Sequence, residues 1–285
     1  MQYRLPISRR RAISSAAALL AAPSIARAQG QNGVALVIGN SKYRWEAALP
    51  NVRRDAPDIA RRFEQLGLRT ELLQDLDGNA LRAAIEKFGA AARGARLAAF
   101  YFAGHGVYWE KQTYIVPTDA DLANASAAKS LLAVPSITAA MKDAGARFLV
   151  FDSCRNNPAD GWRQREARGM AHNDAMQGIA AARQQPNTLI LFSTAPGGIA
   201  LDGPAGENSP FAAALMRQLG GSAVDLTILP QGLRRDLLLA TECRQMVWDQ
   251  STFAAPFPLG APAVAGRGPA IDPARIVELP KAYEY

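Results

Sequence analysis

The chain has few of the residues from which metal centres and disulfide frameworks are built. Its 285 residues include two cysteines, Cys154 and Cys243, and two histidines, His105 and His172. A structural zinc site needs four closely spaced ligands of these types, which this sparse distribution does not offer. We therefore expect no metal site built from cysteine and histidine. A disulfide between the two cysteines is the simplest alternative use of them in an exported protein.

Signals for other cofactors are equally scarce. The glycines at 197–198 and 203–206 lack the spacing and the lysine of a phosphate-cradling loop. Apart from Asp119 and Asp121, no acidic residues cluster in the way that calcium ligands do. We expect no organic cofactor, and the sequence leaves calcium dependence open.

Long apolar runs are also missing, except near the start. Ala12 to Ala22 is interrupted by Ser14 and Ser15 and is too short for a permanent bilayer anchor. Basic residues at 9–11 precede it, and Ala26-Arg27-Ala28 follows it as a small-x-small cleavage site. Residues 1–28 are thus predicted to be an export signal of the twin-arginine type, with an uncleaved amphipathic anchor as the alternative. We expect a periplasmic or secreted protein without a stable membrane anchor.

The positive charge belongs mainly to that segment. The whole chain carries a formal charge of +7, and residues 1–28 hold five arginines and no acid, so the remainder carries only +2. A strongly basic surface is what favours nucleic acid as a partner. With this correction we expect no nucleic-acid binding.

The rest of the chain alternates short apolar runs rich in strand-forming residues with helical patterns. This alternation predicts an α/β sandwich with a mainly parallel sheet. The predicted strands are 34–38, 68–73, 97–102, 114–116, 147–151 and 188–192, and the predicted helices are 55–66, 79–92 capped by Asn79, 136–143, 210–219 and 224–241 with a break at Pro230. From Pro256 onward the chain is rich in Pro, Ala and Gly, which predicts a poorly ordered tail.

Two chemically reactive side chains follow neighbouring predicted strands. His105 lies in Ala103-Gly104-His105-Gly106 after the third strand, and Cys154 follows the strand that ends near Phe151. The carboxyl ends of parallel strands meet at one edge of the sheet, where functional groups gather. An imidazole beside a thiol acts as its base, and the backbone N–H groups of Cys154 and Gly106 form a natural oxyanion hole.

These segments resemble a known family. Residues 101–106, Tyr-Phe-Ala-Gly-His-Gly, and residues 152–158, Asp-Ser-Cys-Arg-Asn-Asn-Pro, are similar to the histidine and cysteine motifs of bacterial caspase-like peptidases related to metacaspases, in clan C14. The histidine precedes the cysteine by 49 residues, close to the spacing of about 50 known for caspases. Further similar segments are 34–40, 193–211 and 244–248.

The resemblance implies a caspase-haemoglobinase-like three-layer sandwich and a cysteine endopeptidase that acts on peptides or proteins. It places the peptidase domain at 31–259, with a p20-like part at about 31–158 and a Pro/Ala-rich tail at 260–285. Metacaspase-like members generally cleave after Arg or Lys and are commonly monomeric, so we expect both of this chain.

Two acids occupy the positions that correspond to the family's pocket for a basic residue. Asp152 lies two residues before the nucleophile, and Asp55 lies in a segment matching the family's Asn-Asp-Ala motif, although Arg54 replaces the asparagine. A carboxylate pair holds a guanidinium by charge-assisted hydrogen bonds. Helix capping by Asp55 and a turn role for Asp152 are the alternatives.

Three functional alternatives stay open at this point. A caspase-like scaffold that binds peptides without cleaving them would lack the cysteine or the histidine, and this chain has both. A hydrolase acting on another acyl bond would use the same dyad. Self-cleavage in the polar insertion after Cys154, at Arg163, Arg165 or Arg168, competes with an ordinary solvated loop there.

Overall fold

The computed structural model describes residues 33–109, 112–123, 130–154, 185–221 and 223–260. The predicted export signal, the arginine-containing insertion with His172, and the predicted tail beyond Gly260 lie outside the described residues, so these interpretations stay predictions. Among the helices of the described ranges, none combines the length and the apolar character that crossing a bilayer requires.

A six-stranded sheet forms the middle layer of the fold. Its strands lie in the order β10-β8-β7-β3-β1-β2, with all neighbours parallel except the edge strand β10, which is antiparallel to β8. The strands are β1 (Gly33–Gly39), β2 (Leu68–Gln74), β3 (Ala98–Ala103), β7 (Arg147–Asp152), β8 (Thr188–Phe192) and β10 (Trp248–Ser251). The central strands are buried throughout, as expected for a parallel sheet covered on both faces.

Helices cover both faces of this sheet. Those on one face are α1 (Val52–Gln65), α4 (Pro210–Gln218) and α5 (Leu229–Ala240), and those on the other are α2 (Gly78–Ala92) and α3 (Val134–Ala140). Alternate residues of each strand feed the two cores: in β3, Tyr101 packs into the first and Phe102 into the second. The predicted three-layer α/β sandwich is confirmed.

Two small antiparallel sheets complete the described part of the chain. One consists of β4 (Gly106–Trp109), β5 (Gln112–Ile115) and β6 (Leu132–Ala133), and the other of β9 (Ala223–Asp225) and β11 (Pro258–Gly260). The sequence patterns predicted β5 alone among these five strands. Short strands with few alternating residues carry too weak a pattern to be distinguished from loops.

Several predicted boundaries are wrong, and each has a local cause. Helix α2 is capped by Asp77, whose side chain accepts a hydrogen bond from Ala80 N, and not by Asn79. The helix predicted over 224–241 is strand β9 followed by α5, because Pro230 occupies the first turn of a new helix, where its missing N–H costs nothing. The tail predicted from Pro256 includes β11, which pairs with β9.

The topology gathers four loops at one edge of the central sheet. They follow the carboxyl ends of β1, β3, β7 and β8, and they begin at Asn40, Gly104, Ser153 and Ser193. Both residues of the predicted dyad lie in these loops, at the edge where ligands bind in open α/β sheets.

Candidate active site

The histidine lies on a turn that Tyr43 holds in place. The backbone N–H of His105 donates to the Tyr43 hydroxyl at 2.8 Å, and the two rings have their centroids 4.5 Å apart. Burial raises the pKa of Tyr43, so its hydroxyl stays neutral. A Cβ on Gly104 would lie 2.5 Å from the Tyr43 oxygen, so this approach requires glycine.

One ring nitrogen of the histidine is committed to the backbone. His105 Nε2 lies 2.8 Å from the carbonyl oxygen of Ala47. A carbonyl oxygen only accepts hydrogen bonds, so Nε2 carries the proton and Nδ1 keeps its lone pair in the neutral imidazole. This contact sets the tautomer and leaves Nδ1 as the atom able to accept a proton from a nucleophile.

The cysteine follows β7 directly, next to the histidine turn. Gly104 N donates to Asp152 O at 3.2 Å, which joins the ends of β3 and β7. A Cβ on Gly106 would lie 2.5 Å from Ser153 Oγ and 2.8 Å from Cys154 O. The two predicted catalytic segments are therefore in direct contact, and the absence of a side chain at Gly106 permits it.

The thiol has a defined partner and no disulfide. Cys154 Sγ donates a hydrogen bond to the carbonyl oxygen of Ala200 at 3.7 Å, and both Cys154 and Cys243 are free. The alternative of a Cys154–Cys243 disulfide is wrong. Burial raises the pKa of the Cys154 thiol, and the carboxylates of Asp152 and Asp202 act in the same direction.

The two predicted pocket acids are linked through Ser209. Asp55 and Asp152 are 1% and 8% exposed, and both accept hydrogen bonds from Ser209. Ser209 N donates to Asp55 Oδ1 at 3.0 Å, and Ser209 Oγ donates to Asp152 Oδ2 at 2.9 Å. Asp55 lies inside the first turn of α1, and Asn51 is the N-cap, so the alternative of Asp55 as the capping residue is wrong.

Burial also shifts the titration of this acidic pair. It raises the pKa of Asp55 to about 6, and, together with the negative charge of Asp55, it raises the pKa of Asp152 to about 7. Two buried carboxylates sharing one serine favour protonation, because both charges lose water and repel each other. Such shifts cluster at sites that bind a ligand or act in catalysis.

A third acid borders the same cleft. Asp202 lies in the loop after β8; burial raises its pKa, and the charge of nearby His105 opposes the shift. Within the described ranges, no three His, Cys, Asp or Glu side chains are grouped as metal ligands.

Sequence reasoning found His105, Cys154, Gly106, Asp55 and Asp152. The structure places His105 and Cys154 in adjoining loops, Gly106 at the start of β4, Asp152 at the end of β7 and Asp55 in the first turn of α1. Sequence reasoning missed Asp202 and the Ala47 carbonyl. Asp202 lies among glycines that match no binding motif, and a backbone carbonyl has no residue-type signal at all.

Comparison with known proteins agrees with this architecture. The caspase domain model of peptidase family C14 matches residues 32–258, so the chain belongs to the caspase domain family. It is thus a caspase-family cysteine peptidase domain.

Two relatives illustrate the similarity. The crystal structure of caspase-1 from Spodoptera frugiperda superimposes with a TM-score of 0.59 at 14% identity, covering 79% of this chain and 90% of the other, which shows the shared fold. The human mucosa-associated lymphoid tissue lymphoma translocation protein 1 is 30% identical over 124 residues, which are 43% of this chain. The matched segment spans only 15% of that human protein.

Proposed function

We propose that the domain is an endopeptidase that cleaves after arginine, with lysine second, using Cys154 as nucleophile and His105 as general base. The observation that supports this specificity is the buried pair of carboxylates, Asp152 at the end of β7 and Asp55 in α1, which Ser209 links by hydrogen bonds. A guanidinium with five N–H donors satisfies such a pair by bidentate, charge-assisted hydrogen bonds.

The reaction uses Nδ1 of His105, because the other ring nitrogen, Nε2, is hydrogen-bonded to the Ala47 carbonyl. His105 Nδ1 accepts the proton of Cys154 Sγ, and the thiolate attacks the peptide carbonyl carbon. The N–H groups of Cys154 and Gly106 stabilise the resulting oxyanion. The imidazolium then protonates the leaving amine as the C–N bond breaks, and a water molecule, deprotonated by the same imidazole, hydrolyses the thioester and restores the thiol.

The dyad needs a trigger, because the resting thiol donates to the Ala200 carbonyl and burial raises its pKa. Rotation of the Sγ atom from that carbonyl towards His105 Nδ1 would replace one hydrogen bond with a stronger one to the imidazole. Peptide binding against the loop that carries Ala200 supplies the contact that breaks the hydrogen bond between Cys154 Sγ and the Ala200 carbonyl. We propose no cofactor for this step, and calcium is one variable of the assay.

The test is hydrolysis of fluorogenic peptides that differ only in arginine, lysine, citrulline or aspartate at the cleavage position. Wild type and the Cys154→Ala and His105→Asn variants are compared with and without calcium. We expect arginine turnover that both substitutions abolish, and a preference for arginine over its neutral isostere citrulline. Equal cleavage after citrulline and after arginine would show that the pocket does not recognise the positive charge. A lack of turnover with every peptide would favour a peptide-binding scaffold.

A further inference from the structure

The loop that presents Ala200 and Asp202 to the site has no helix or strand of its own. This cleft loop, residues 199–207, runs between β8 and α4, and within it the backbone bonds to itself only through Glu207 N and Pro204 O. An irregular segment of this length holds a fixed position only if other groups satisfy its backbone. Two buried side-chain amides do so, from opposite sides.

Gln245 holds the start of the cleft loop. Its side chain is 2% exposed; Oε1 accepts from Leu201 N at 3.0 Å, and Nε2 donates to Ser193 O at 2.9 Å. The Ser193 hydroxyl in turn accepts from Ser153 N at 3.2 Å. One amide thus ties the cleft loop to the residue that precedes the nucleophile.

Asn51 holds the other half of the cleft loop. Its Nδ2 donates to Asp202 O at 2.7 Å and to Pro204 O at 2.9 Å, and its Oδ1 accepts from Gly206 N at 3.1 Å. Asn51 occupies the N-cap of α1, yet its side chain caps nothing there. Asparagine is a strong capping residue, so the use of its amide on a segment about 150 positions away indicates that the cleft loop is what it serves.

We propose that Asn51 and Gln245 are positioning residues of the site, which together fix the cleft loop so that the Ala200 carbonyl meets the thiol and Asp202 faces the cleft. Asn51 begins the helix that carries Asp55, and Gln245 is bonded through Ser193 to the nucleophile strand. The two amides therefore set the cleft loop relative to both walls of the pocket. The kinetic part of this proposal rests on the proposed peptidase activity.

The first test measures the thiol directly and needs no substrate. In a Cys243→Ser background Cys154 is the single thiol of the chain, and its alkylation by iodoacetamide reports both access and release from the Ala200 carbonyl. Asn51→Leu and Gln245→Met keep side-chain volume and remove the amide hydrogen bonds. We expect each to accelerate alkylation by about fivefold or more, because local opening of the cleft loop exposes Sγ.

The matched control is Gln218→Met. Gln218 Nε2 donates to Asp236 Oδ2 at 2.6 Å and joins α4 to α5, away from the dyad. This change also removes one side-chain amide, and we expect alkylation within about twofold of the parent. Acceleration in all three variants would mean general loosening and would overturn the proposal, as would an unchanged rate in Asn51→Leu and Gln245→Met.

The second test separates positioning from mere folding. With the arginine peptide, the two loop variants should raise KM more than they lower kcat, because the displaced loop weakens cation binding before the chemical step. Gln245→Glu retains the acceptor for Leu201 N, so its KM should fall between those of wild type and Gln245→Met. This variant keeps the test valid if Gln245→Met folds poorly. A loss of activity that appears only in kcat, with KM unchanged, contradicts the proposal. A wild type without any turnover refutes the peptidase activity while the alkylation result still stands.

Discussion

Replacing Asp152 by asparagine should make the domain more stable at alkaline pH while removing its preference for arginine. Folding raises the pKa of Asp152 to about 7, chiefly through burial and then through the charge of Asp55. An unfolded aspartate titrates at about pH 4 and each pKa unit corresponds to about 1.4 kcal/mol, so the ionised carboxylate costs the folded state on the order of 4 kcal/mol above pH 7. The isosteric amide removes that charge and keeps an oxygen for Ser209 and Tyr101.

The sign of the pH dependence follows from the protons bound in each state. Between about pH 4 and pH 7 the folded protein holds a proton on Asp152 that the unfolded chain has released, so the free energy of unfolding falls as pH rises through this window. Asp152→Asn removes this contribution, while Asp55, whose pKa burial raises to about 6, still contributes in the same window. At pH 5 an unfolded aspartate is already ionised, so the variant is somewhat more stable there, and we expect its advantage in the free energy of unfolding to grow by about 2 kcal/mol or more between pH 5 and pH 8.

Denaturant unfolding at pH 5 and pH 8 measures this difference, and Asp225→Asn is the matched control. Burial raises the pKa of Asp225, but the hydrogen bonds from Thr227 and Phe257 together outweigh it and lower that pKa. Both pH values lie above the pKa of an unfolded aspartate, so the control substitution should destabilise the protein by a similar amount at each. Cleavage after arginine by Asp152→Asn should fall at least about thirtyfold, the worth of one charge-assisted hydrogen bond or more. An Asp152→Asn protein that is destabilised equally at pH 5 and pH 8 would refute the reasoning.

Three further predictions concern the nucleophile and its base. Gly106→Ala should abolish turnover and leave the fold intact by circular dichroism, since its Cβ would lie 2.5 Å from Ser153 Oγ and force the two catalytic segments apart; full activity would show that the contact yields freely. Tyr43→Phe should reduce kcat by about tenfold with KM little changed, because the N–H of His105 loses its acceptor, whereas an effect on KM alone would point to substrate contact. A small guanidinium such as agmatine should accelerate alkylation of Cys154 at pH 7 by neutralising the pocket acids, and inhibition at every concentration would contradict this.

Five of the six strands of the central sheet could be predicted, and four of them, β1, β3, β7 and β8, are continuous buried apolar runs. The edge strand β10, Trp-Asp-Gln-Ser, has no apolar run and could not be predicted. The predicted strand 188–192 coincides with β8, and the dyad residues follow strand ends as expected. Strand β4 could not be predicted, since Gly106–Trp109 carries no alternation beyond four residues. The positions of the dyad follow from local pattern and topology together.

What the sequence could not reveal lies in contacts between distant segments. Ser209 binds Asp55, 154 positions away, and Asp152, 57 positions away, and its sequence neighbourhood predicts a helix start but neither of these contacts. Asn51 carries no signal of its own in the sequence, and only the folded chain shows its amide hydrogen-bonded to the cleft loop. The Ala47 carbonyl, which sets the tautomer of the base, belongs to the backbone and has no sequence signature.

The acids that suit the pocket to a cation also work against the nucleophile. Burial, and then the carboxylates of Asp152 and Asp202, raise the pKa of the Cys154 thiol. Under the proposed specificity, a guanidinium bound at Asp55 and Asp152 would offset part of this negative field, so the thiol would lose its proton to His105 more readily. The same charge would then both select the substrate and activate the thiol. A peptide without the cation would leave the Cys154 thiol hydrogen-bonded to the Ala200 carbonyl, which would extend discrimination from binding into the chemical step.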